Sequence, residues 1–167
     1  AVAAGSGPSN FCPSTSVHPT RSCTPEDNAV PTARDTPPTD VDAAGTLWRE
    51  HPDVHLQTHI AESREEVAWM RELYPARRDY LDIYEHAGLT GRRAVLAHGI
   101  HLSESELCRC HEQHTALAHC PTSNAFLGSG LFRLREVRDP KRPVEVGLGT
   151  DIGAGTSFSL LATMSEA

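Results

Sequence analysis

The chain has 167 residues, enough for one domain with a real core but fewer than the roughly 200 at the small end of (β/α)₈ barrels. Acidic side chains outnumber basic ones, 22 to 15, for a formal charge of −7, which argues against nucleic-acid and anionic-membrane partners. No apolar run approaches the roughly 18 residues of a membrane helix and the start lacks the basic-then-apolar order of a secretory signal, so a soluble, cytoplasmic protein is expected.

Residues 1–40 hold seven of the twelve prolines and no Leu or Ile. Such a segment buries too little apolar surface to offset its ordering entropy. We expect 1–40 to be a disordered, low-complexity or misread segment without stable helices or strands, and the functional region to occupy 41–167. Asp40 reads as the cap of a helix bearing Ala44, Leu47 and Trp48, and residues 54–59 read as a strand. Ser63-Arg64-Glu65-Glu66 is a capping box that opens a helix ending before Pro75. A second helical stretch runs over 79–86, stopped by Gly88, and the apolar run 94–97 follows as a strand.

The cycle then repeats. Ser103-Glu104-Ser105-Glu106 is another capping box, with a helix to about Glu112 and a strand over 116–118. The polar stretch 122–130 reads as a loop able to shape a pocket, 131–138 as a helix, 144–148 as a strand, and 159–167 as the start of a last helix. Strands alternating with helices predict βα units with right-handed crossovers and a parallel sheet.

Reactive side chains recur where these strands end, the position from which (β/α)₈ enzymes draw their chemistry. His59 with Glu62 would place a metal-binding imidazole and a proton-carrying carboxyl at one strand mouth, or a carbonyl-bonded histidine beside a helix-start glutamate. His98 ends the next strand before Gly99. Asp151, between Gly149 and Gly153, is either a metal-binding, proton-accepting carboxylate or an Asp in a glycine-rich turn. The five cysteines, at 12, 23, 108, 110 and 120, form no even framework, so free thiols are expected. Cys108, Cys110, His111 and His114 are either a small zinc site or the faces of a helix end. Cys120 adjoins His119, but neighbours on a strand point to opposite faces, which argues against a thiol nucleophile.

The strings Thr58-His59-Ile60-Ala61-Glu62, Ala97-His98-Gly99, His119-Cys120-Pro121-Thr122-Ser123-Asn124 and Gly149-Thr150-Asp151, in that order, together resemble the amidohydrolase superfamily. Within it the chain is most similar to the guanine deaminases, through Ser63 to Pro75 and the 126–132 loop. The likeness covers roughly 43–167. It implies an α/β fold, part of a (β/α)₈ TIM-type barrel comprising about four C-terminal βα units, with one zinc ion as cofactor. It implies hydrolysis of guanine to xanthine and ammonia, a step of purine catabolism. The same resemblance makes His59 and Asp151 metal ligands, Glu62 the proton shuttle and His98 the residue orienting the attacking water. His59, Glu62 and Asp151 would also meet the substrate.

The family's His-x-His pair, which supplies two further zinc ligands, does not occur in this sequence, and 31–39 does not match its guanine-binding arginine motif. Arg34 therefore takes no role, and an incomplete portion of the enzyme is expected. Its partner is a small purine, with a homodimer left open. The alternatives are an amidohydrolase for a different aminated or chlorinated heterocycle, or an inactive structural module whose open sheet edges favour self-association.

Overall fold

The computed structural model describes residues 38–167; the reading of residues 1–37 lies outside the described residues. In chain order the elements are α1 (Pro38–Glu50), β1 (Leu56–Ile60), α2 (Arg64–Leu73), α3 (Tyr80–Ala87), β2 (Ala94–His98), α4 (Glu104–Gln113), β3 (Ala116–His119), α5 (Pro121–Leu127), α6 (Leu134–Val137), β4 (Val146–Leu148) and α7 (Leu160–Ser165). The four strands form one sheet in the order β1-β2-β3-β4, and every neighbouring pair is parallel. This is the expected run of βα units, and it gathers the C-terminal ends of all four strands along one edge.

The sheet buries the face covered by helices. Ile60, Leu96 and Leu117, one from each of three adjacent strands, are fully buried together with Leu81 and Leu107 from the helices. Leu117→Ala would delete buried methyl groups from the middle of this layer, so a loss of about 2–5 kcal/mol is expected, read as a lower midpoint in urea unfolding. Where α1 crosses α3, a Cβ on Gly45 would lie 1.8 Å from the Ala87 carbonyl oxygen. Only glycine permits that approach.

Both capping boxes form as read, at Ser63 with Glu66 and at Ser103 with Glu106. Asp79 caps α3 and Gly88 ends it in the left-handed conformation. Several boundaries differ from expectation for physical reasons. α1 begins at Pro38, since a proline ring is preset for a first helical turn and its missing N–H costs nothing there; Asp40 lies inside that turn rather than at the cap. β1 begins two residues late because the Val54 carbonyl accepts the Trp48 indole N–H at 2.9 Å and also an Arg93 guanidinium N–H, outside the ladder. β4 is shortened because the Val144 N–H donates to the Val137 carbonyl. The 122–130 stretch is not all loop: residues 121–127 are helical, with proline at the start and Gly128 closing the end at φ +71°. The helix read over 131–138 shrinks to the single turn α6.

Candidate metal centre and active site

Three of the four strands, β1, β2 and β4, deliver a polar side chain to one cluster at this edge. His59 is the penultimate residue of β1, His98 the last of β2, and Asp151 follows β4 by three residues. The imidazoles of His59 and His98 stack, with centroids 5.1 Å apart and planes 19° from parallel. His59 Nε2 lies 3.6 Å from Asp151 Oδ1, and His98 Nε2 lies 3.8 Å from Asp151 Oδ2 and 3.7 Å from Glu62 Oε2. One donor atom from each of His59, His98 and Asp151 falls within a 4.8 Å span. Among the described residues no other such group of three exists.

The backbone is bent to achieve this. Ala61, His98 and Asp151 have φ of +49°, +67° and +48°, in a region that non-glycine residues avoid and that concentrates at functional sites. Gly99, directly after His98, has φ +62°, and a Cβ there would press on Leu102 and Leu117 at 3.2 Å.

Partners from α5 orient two of these groups. The Asn124 amide oxygen lies 2.8 Å from His98 Nδ1, so Nδ1 carries the proton and Nε2 presents a lone pair to the site. That Nε2 is buried and has no hydrogen-bond partner in the protein, the state of an atom awaiting a cation or a water. The Ser123 hydroxyl donates to Asp151 Oδ2. The Ser129 hydroxyl donates to Glu62 Oε1 at 3.0 Å, and the Tyr84 hydroxyl holds the carbonyl of His59 at 2.8 Å. Ser123 and Asn124 stand in a string that carries the resemblance and Ser129 in the 126–132 loop, but no orienting role follows from either, and Tyr84 carries no signal. Proline at the start of α5 and glycine after its end were the available signal that 121–127 is a helix, able to hold Ser123 and Asn124 rigidly.

The site's charges are coupled. Burial is the largest influence on His59 and disfavours its charged form, yet the hydrogen bond and charge of Asp151 outweigh it and raise the pKa above the usual value. Burial likewise works against ionised Asp151, but its bonds to His59 and Ser123 hold its pKa below the usual carboxylate range. A protonated imidazole cannot ligate. Metal affinity is therefore expected to fall as pH drops through the raised His59 value, which lies above 6.5, because each metal ion bound displaces a proton. In the metal-free chain the sign reverses: the pair contributes stability below the ordinary histidine pKa and loses it as pH rises through the raised one. Zinc titrations and urea midpoints across about pH 5.5 to 8 check both trends, which run in opposite directions.

The other candidates do not assemble. Cys110 is buried, its thiol pushed up to about 12 chiefly by that burial; Cys108 donates to Glu104, and His111 Nδ1 lies 2.8 Å from the Pro143 carbonyl. These are the faces of a helix end, and Cys108, Cys110 and Cys120 are all free. Burial also pushes the Cys120 thiol up to about 12, the opposite of what a nucleophile needs. His119 stacks on Phe132 at 4.6 Å, beside the cluster rather than in it. An open groove of about 960 Å³ adjoins Glu62, lined by Arg64, His101, Ser129 and Leu131 among others. Phe126, Leu127 and Leu131 in this region are exposed. No helix among the described residues is long and apolar enough to cross a membrane.

Comparison with known proteins identifies the family. The chain is 49% identical over 124 residues to the guanine deaminase of Escherichia coli (strain K12), which covers 74% of the chain and 28% of the relative. A solved E. coli guanine deaminase superposes with a TM-score of 0.77 at 45% identity, over 81% of this chain and 31% of that one. A solved guanine deaminase from C. acetobutylicum with bound guanine in the active site gives 0.72 at 29% identity, over 83% of this chain and 32% of that one. The zinc-complexed atrazine chlorohydrolase of Arthrobacter aurescens TC1 gives 0.62 at 26%, over 71% and 25%. The chain thus spans about a quarter of the length of the curated relatives it matches. The profile of the amidohydrolase family matches residues 11–167, reaching into the 1–40 stretch as well as the βα units. On that match, and on a parallel sheet that superposes on part of these barrels, the chain belongs to the amidohydrolase family.

Proposed function

We propose that this chain carries part of the active site of a zinc-dependent amidohydrolase that converts guanine and water to xanthine and ammonia. The observation that carries the reading is the convergence of His59, Glu62, His98 and Asp151 from three strand ends. Two imidazoles and a carboxylate, one imidazole nitrogen buried without a partner, suit zinc chemically. His59 and Asp151 would hold the ion, and a divalent zinc supplies the Lewis acidity that makes water nucleophilic near neutral pH.

The side chains then divide the proton traffic. Asp151, kept ionised by its neighbours, accepts a proton from the attacking water. His98 Nε2, between the carboxylates of Glu62 and Asp151, steers the oxygen toward the ring carbon that bears the amine. Glu62 protonates a ring nitrogen, which removes the negative charge that would build up as the new C–O bond forms. The proton held by Asp151 passes to the amine, the C–N bond breaks and ammonia leaves, and the hydroxyl proton returns to Glu62 as the new carbonyl forms. Guanine is preferred over a chlorinated triazine because identity to the guanine deaminases reaches 45–49%, against 26% for the atrazine enzyme.

The test is product formation by zinc-loaded protein and by a chimera in which this chain replaces the matching segment of the E. coli enzyme. Xanthine and ammonia in equal amounts are expected. A chimera that folds, binds zinc and turns over another aminated or chlorinated heterocycle while leaving guanine untouched sinks the proposal. The same reading implies a cytoplasmic protein with a small-molecule partner.

A further inference from the structure

The two capping-box glutamates are chemically alike and are used differently. Glu106 sits in register: the Ser103 N–H donates to its Oε2 at 2.8 Å, and Oε1 accepts the Leu81 N–H at 3.2 Å. Glu66 closes its cap and reaches one residue further. Its Oε2 accepts the Ser63 N–H at a long 3.5 Å and the Glu62 N–H at the shorter 2.8 Å. Its other oxygen accepts the Tyr80 hydroxyl at 2.8 Å. Glu66 is 7% exposed and Tyr80 2%, so this carboxylate depends on protein donors rather than water. Burial, above all, raises the Tyr80 phenol and keeps it a proton donor.

The further bond falls on the peptide after Ala61, whose φ of +49° a non-glycine residue does not adopt freely. The other side of that turn is pinned by the His101 N–H donating to the Ala61 carbonyl at 3.0 Å. Beyond the turn the Glu62 carboxylate reaches 3.7 Å from His98 Nε2. Relaxation of φ to negative values would re-aim the Glu62 side chain, and these two bonds are the ones that the peptide's own N–H and carbonyl make against it.

We propose that Tyr80, acting through Glu66, is a positioning residue for Glu62: the hydroxyl anchors one Glu66 oxygen so that the other, besides closing the cap, grips the Glu62 N–H, and that carboxylate fixes the Ala61–Glu62 peptide in the turn that aims Glu62 at His98. The catalytic consequence rests on the function proposed above; the geometric role does not.

Amide hydrogen exchange in the full 167-residue chain reads the Glu62 N–H directly. Tyr80→Phe is expected to speed exchange at Glu62 about tenfold while the Leu96 and Leu117 amides stay within about twofold. Glu66→Gln, which keeps one acceptor oxygen and the cap, is expected to move Glu62 in the same direction. Glu106→Gln, the same change in the other capping box, should leave Glu62 unmoved. Guanine turnover supplies the second readout: Tyr80→Phe should lower kcat about tenfold with KM within about twofold, and Glu106→Gln should not. Unchanged exchange at Glu62 in both Tyr80→Phe and Glu66→Gln, or equal acceleration at Glu62, Leu96 and Leu117, overturns the positioning role. If the unsubstituted protein turns over no guanine, the proposed function fails by itself and the exchange data still decide the role of Tyr80.

Discussion

Alanine at position 59 should leave the protein folded and unable to hold zinc. The His59 ring sits at the strand mouth with 16% of its side chain exposed, so its removal opens no large cavity. Its backbone stays fixed, because the Tyr84 hydroxyl holds the His59 carbonyl and β1 pairs with β2 through residue 60. What disappears is one of the three donors that, among the described residues, lie within reach of a common cation. Loss of an outer partner of a metal ligand typically weakens binding about 10- to 100-fold, so loss of the ligand itself should exceed about 100-fold. Competition with a zinc chelator measures the affinity, and near-ultraviolet circular dichroism confirms the fold. Cys108→Ser, at the other candidate cluster, should leave zinc binding unchanged. Unaltered affinity in the His59→Ala chain would remove the metal centre from this edge of the sheet.

Much of this site could be read from the chain because strand ends announce themselves. An apolar run followed by His, Glu or Asp is a local pattern, and His59, Glu62, His98 and Asp151 all stand in one. The parallel order was equally accessible, since Ser63 and Ser103 mark helix starts between successive apolar runs and so fix the alternation. What escaped depended on contacts far apart in sequence. Ser123 and Asn124 lie 28 and 26 residues from the groups they orient, and Pro121-Thr122-Ser123-Asn124 looks locally like a turn. Only the pairing of an initial proline with a closing glycine betrays the helix. The late start of β1 was hidden for a similar reason: residue 54 has strand chemistry, but its carbonyl is claimed by side chains 6 and 39 positions away. In Glu66 the sequence displays a capping box and nothing more, because its further bond to the Glu62 N–H goes with a contact to Tyr80, 14 residues on.

Glutamine at position 62 should separate proton transfer from metal binding. The substitution preserves shape and an oxygen that can still accept the Ser129 hydroxyl now bonded to Glu62 Oε1, so the loop and the peptide turn should remain in place. It removes the capacity to donate and recover a proton. Glu62 stands outside the set of three metal donors, so zinc affinity should stay within about twofold of the unsubstituted protein, whereas general acid–base groups contribute about 10²- to 10⁴-fold to rate. The expected result is therefore a fall in guanine turnover of about that size at nearly constant zinc content, with most of the loss in kcat. Ser129→Ala, which frees the carboxyl without neutralising it, should cost only about tenfold, the order expected when one neutral hydrogen bond is lost. The contrast with position 59 carries the assignment: alanine there removes metal and turnover together, glutamine here removes turnover alone. A Glu62→Gln protein that also lost its zinc would move this carboxylate into the ligand set and leave the ring nitrogen without its proton donor.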